Sequence, residues 1–114
     1  MPHLLAPELA AAVEDGMRPV APSQPAEVYT LAASLWWAIT GDWPLDYEGA
    51  GADPAQLTAS ELRRAIGKGA FQVRSPSMWP GVQRVLSTTV LAQPPELRPT
   101  AVELAAAVRA AVLR

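Results

Sequence analysis

Between Val28 and Ile39 the only polar side chains are Tyr29, Thr30 and Ser34, and helix signals bracket the run on both sides. Ser23 or Gln24 can open a helix here, Glu27 falls in its positive first turn, and Gly41 supplies the stop. A helix from about Pro25 to Thr40 that is apolar all round reads as buried on every side. The remaining chain is therefore expected to wrap around it. At 114 residues the chain has length for one such core, so residues 1–114 are read as a single domain.

Twelve prolines and seven glycines divide the rest into short blocks, none with the sustained alternation of a half-buried strand. A first helix is predicted from Pro7 to Asp15, with Pro in its first turn and Gly16 as its stop. The stretch from Arg18 to Pro25 is rich in proline and should be extended, because each Pro disfavours helical backbone before it. Residues 42–55 read as loop. Thr58 and Glu61 have the spacing of a capping box and open a short helix ending near Gly67. A further helix is expected from Pro80 to Val90, with Val82, Val85, Leu86 and Thr89 on one side. Thr100 and Glu103 form a second capping box, starting an alanine-rich helix that runs nearly to Arg114. Its expected anchors are Val102, Leu104, Val108 and Val112. The fold class is all-α: about five helices around a central buried one.

Charge and composition narrow the function. Nine Lys and Arg against eleven Asp and Glu give a net charge of −2, without the basic footprint of a nucleic-acid binder. The absence of cysteine excludes disulfides, thiolate metal sites and a Cys nucleophile. The N-terminus lacks the pattern of a signal peptide, and the apolar run from Leu31 to Ile39 is far short of a bilayer span. A cytoplasmic chain without a membrane partner is expected.

Four segments, in order, resemble protein kinases. Ala6-Pro7-Glu8 resembles the Ala-Pro-Glu motif that closes the kinase activation segment, and residues Ala26 to Ala32 (Ala-Glu-Val-Tyr-Thr-Leu-Ala) resemble the opening of kinase helix F. Residues Leu35 to Leu45 resemble its continuation into a Thr-Gly ending and a proline turn, and Leu97-Arg98-Pro99-Thr100 resembles the approach to helix I. The resemblance spans nearly the whole chain and implies the lower half of a kinase C-lobe. In kinases the Gly-rich loop, the ATP-anchoring Lys, the catalytic Asp and the metal-binding Asp all precede the Ala-Pro-Glu motif. The resemblance thus implies a non-catalytic chain with no cofactor and no ATP. Glu27 stands where kinases carry the Asp that holds the catalytic loop. Glu8 and Arg98 stand where kinases carry a structural ion pair. One side of helix F, which supports the catalytic loop in kinases, is expected to be bare here or covered by a partner.

Other candidates are weaker. Trp36 and Trp37 point about 100° apart on the central helix; with Trp43 and Trp79 they could line a ligand pocket, though core packing is the simpler reading. His3, the single histidine, is expected at a solvent-exposed terminus rather than in a metal site. Asp42, Asp46, Glu48 and Asp53 lack the calcium-loop pattern and read as a solvated acidic loop. Arg63, Arg64 and Lys68 form a small basic stripe on the short helix. No Ser or Thr has a recognisable base beside it. The leading expectation is a kinase-like, non-catalytic interaction module that meets a protein partner or a second copy through Trp36, Trp37, Glu27, Arg63 and Arg64. Its competitors are a fragment or subunit of a larger serine/threonine kinase, and a small-molecule-binding accessory protein using its tryptophans.

Overall fold

A computed structural model describes residues 2–16 and 23–113. Five helices carry the fold: α1 (Pro7–Glu14), α2 (Gln24–Thr40), α3 (Ala59–Gly67), α4 (Pro80–Leu86) and α5 (Ala101–Val112). Among the described residues there is no strand, only an isolated antiparallel bridge between Leu45 and Val73. The chain is all-α. Most of the extended connection expected from Arg18 to Pro25 lies outside the described residues.

α2 is set by its ends. The Ser23 hydroxyl accepts from the Ala26 N–H at 3.3 Å, and Gly41 turns left-handed at φ 76° with its N–H on the Trp37 carbonyl. The few polar side chains of α2 bond its own backbone: Thr30 donates to Ala26, Ser34 to Thr30 and Thr40 to Trp36, one turn back in each case. Thr30 also donates to the Leu4 carbonyl at 3.0 Å, tying the N-terminal turn (Pro2–Leu4) to the helix.

The core has two parts. The first gathers Val28, Tyr29, Ala32, Ala33 and Trp36 from α2 against Ala6, Leu86, Val90, Leu91 and Leu104. The second joins Ala10 of α1, Leu62 and Ile66 of α3, and Leu45 and Tyr47 from the intervening loop. α1 and α3 approach closely at Gly67, where an added Cβ would lie 2.9 Å from the Ala11 nitrogen.

Three expectations need correction. α2 is not enclosed on all sides: Glu27, Leu31, Trp37 and Ala38 are exposed. Glu27 and Ser34 fall on the open side, but the apolar Leu31, Trp37 and Ala38 around them mask that signal, and the neighbours of α2 cover only part of its circumference. Of the expected α5 anchors, Leu104 is buried and Val108 packs on the core, but Val102 is 81% and Val112 63% exposed, off the stripe facing α4. The helix after Pro80 is α-helical only to Leu86, then widens into a π-helical segment, Ser87–Leu91. There Thr88 turns its hydroxyl onto the Arg84 carbonyl at 2.7 Å, while Val90 and Leu91 are buried.

Candidate functional site

Glu8 and Arg98 meet across the fold. Arg98 donates through Nη1 to Glu8 Oε2 at 2.6 Å and through Nη2 to Oε1 at 2.9 Å. It also donates to the carbonyls of Pro25 and Gln93, so one guanidinium joins α1, the start of α2 and the loop before α5. Its centre lies 5.0 Å from the Tyr29 ring centroid, within cation–π range. Tyr29 is fully buried and its hydroxyl has no partner among the described residues; burial pushes its pKa up to about 12. This constellation joins three elements of the fold.

The open side of α2 has a different character. Glu27, Leu31 and Ala38 follow one another at helical spacing of four and seven, so they share a face, with the half-buried Ser34 between them. Leu31 is 42% and Trp37 48% exposed. Beside them Leu4, Ser34, Trp37 and Trp43 line a small notch of about 210 Å³. Trp37 stacks on Trp43 at 5.7 Å between ring centroids, and His3 stacks on the same Trp43 at 4.4 Å. The notch is therefore built from rings that hold one another.

The structure separates the candidate surface residues. Trp37 and Glu27 lie on the open side of α2, but Trp36 is only 1% exposed and belongs to the core, which removes it from any contact surface. Arg63 is also engaged: its Nε donates to Glu14 at 2.7 Å, Ser60 donates to the same carboxylate, and Arg64 stands 3.8 Å from it. The hydrogen bonds from Ser60 and Arg63 hold Glu14 below the usual carboxylate range. The basic stripe is thus partly neutralised from α1, leaving Arg64 and Lys68 as its exposed members.

His3 departs from the expected exposed terminus. It is half-buried, with Nδ1 2.9 Å from the Tyr47 hydroxyl and its ring on Trp43. The acidic loop is structural in two places: Asp46 accepts from the Gly49 N–H and Asp53 from the Ala55 N–H. Among the described residues no three His, Cys, Asp or Glu side chains come together as a metal site. Sequence reasoning missed Gln83, which is buried with its Oε1 accepting from the N–H groups of Ser77, Met78 and Trp79. The available signal was indirect: no Ser, Thr, Asp or Asn stands immediately before Pro80, so another acceptor had to serve that helix start.

No known protein family, characterised protein or solved structure matches the chain.

Proposed function

We propose that the chain is a non-catalytic interaction module, resembling the lower half of a kinase C-lobe, that self-associates through the open side of α2. The observation that carries this reading is the stripe of Glu27, Leu31 and Ala38, flanked by Trp37, on a helix otherwise committed to the core. Exposed apolar surface concentrated on one face, next to an aromatic notch, is what association sites offer. The resemblance supports the same side as a contact surface, since in kinases it is the one that packs against the catalytic loop. The notch of about 210 Å³ is below the 300–1,000 Å³ typical of small-molecule sites, which favours a partner's side chain as its occupant.

Amide chemical shifts followed on dilution test this directly. Residues around Leu31, Trp37 and Ala38 should move together while those of α3 stay fixed. Shifts elsewhere, or none, would overturn the reading. Titration with Mg-ATP should give no binding, and a micromolar affinity would contradict the non-catalytic part of it.

A further inference from the structure

A cleft of about 840 Å³ is bounded on one side by residues 71–76 and on the other by residues from Ser87 to Pro95. Its size lies in the range of ligand-binding clefts. One wall has an unusual property for a helical protein: it is an extended segment paired on one edge only. Asp46 N–H donates to the Gln72 carbonyl at 2.8 Å and Arg74 N–H to the Pro44 carbonyl at 2.8 Å, flanking the Leu45–Val73 bridge. In that antiparallel register Leu45 and Val73 do not bond each other, and the N–H and C=O of Val73 point to the opposite edge. Ser75, two residues on, falls in the same register. Among the described residues neither amide has a hydrogen-bond partner. Such an edge is a template for another extended chain.

The remaining lining holds donors that the fold leaves unused. Tyr29 lines the cleft with a buried hydroxyl that has no partner among the described residues. Arg98 uses its N–H donors on Gln93, Pro25 and Glu8 in four bonds, leaving one of its five free. Arg74 donates Nε to the Trp43 carbonyl, and its Nη1 stands 3.6 Å from Asp46, a loose pair. The charged side chains of the lining are these two arginines and Glu8, with Asp46 beside Arg74; Arg98 is bound to Glu8, whereas the Nη donors of Arg74 make no hydrogen bond among the described residues. Arg74 is therefore the cation at the cleft with donors to spare.

We propose that this cleft binds an extended acidic peptide of a partner protein, which adds as a strand along Val73 and Ser75 and brings its carboxylates toward Arg74. A small anion would meet the donors but leave the strand edge unpaired; a basic peptide would pair the edge but bring a cation to the Arg74 guanidinium. The site is separate from the open side of α2 and does not depend on that face being used.

The test is selection of short random peptides displayed on phage against the folded chain, followed by titration of the selected peptide into isotope-labelled protein. The expected peptides are enriched in Asp and Glu, and they shift the Val73 and Ser75 amides and slow their exchange. Ser75→Pro removes one edge donor that bonds nothing in the fold, so it should leave the circular dichroism and Tm unchanged while weakening binding about tenfold. Arg74→Gln should weaken it too and flatten its salt dependence. Failure to select any peptide, selection of basic peptides, or full affinity in both variants would overturn the proposal. So would shifts centred on Leu31 and Trp37, which would report the α2 face instead.

Discussion

Arg98 and Glu8 lie 90 residues apart and meet through two parallel charged hydrogen bonds, with the arginine side chain 2% exposed and the glutamate 28% exposed. That asymmetry decides which partner matters more. Glu8→Ala strands a buried guanidinium and should destabilise the chain by about 3–5 kcal/mol. Arg98→Met leaves a carboxylate that can reach water and should cost less. Urea unfolding of both variants checks this, and equal effects would mean that Glu8 is as enclosed as Arg98.

Trp36 and Trp37 are neighbours in sequence with opposite environments. Trp36→Ala opens a cavity in the core and should cost about 3–5 kcal/mol. Trp37→Ala removes a ring that is half in water and should cost no more than about 1 kcal/mol. Thermal unfolding separates the two, and similar losses would mean that α2 is enclosed on both sides.

Why the sequence distinguishes these residues so poorly is instructive. The caps were readable: Ser23, Thr58 and Thr100 accept at the helix starts expected of them, and Gly41 ends α2. Capping is local chemistry, carried by residues three or four apart. The open side of α2 is a tertiary fact. An amphipathic helix declares its wet face by polar residues, but here Leu31, Trp37 and Ala38 carry no such mark. The Glu8–Arg98 contact was legible only through the kinase resemblance, because no local pattern joins residues so distant. The strand edge at Val73 and Ser75 had no signal at all: a single bridge is too short to produce alternation.

Gln83 holds the start of α4 from inside the fold. Gln83→Ala leaves three backbone N–H groups without their acceptor and should cost about 1–3 kcal/mol. Gln83→Glu keeps the acceptor and adds charge at a helix start, so it should recover much of the loss. Amide exchange at Ser77, Met78 and Trp79 gives the same readout locally. Unchanged protection in the alanine variant would rule out the capping role.

Stability should fall at both ends of the pH scale for identifiable reasons. Burial holds His3 below its ordinary 6.5, so on acidification the unfolded chain takes the proton first. Stability then declines as pH drops below 6.5, levelling once the folded imidazole is also charged; His3→Asn should remove that step. Burial raises Tyr29 from 10.0 to about 12, so above pH 10 the unfolded chain ionises first and stability declines again. Burial raises Tyr47 as well. Urea midpoints across pH, with tyrosinate absorbance at the alkaline end, check both signs. A stability that rises on acidification through 6.5 would contradict the placement of His3.

The open side of α2 is the centre of the account, and solution mass tests it most directly. Light scattering over a range of concentrations should show the wild-type chain passing from monomer to dimer. Trp37→Glu and Leu31→Glu should remain monomeric with unchanged helicity. A strict monomer at every concentration, or a dimer indifferent to both substitutions, would contradict self-association through this face.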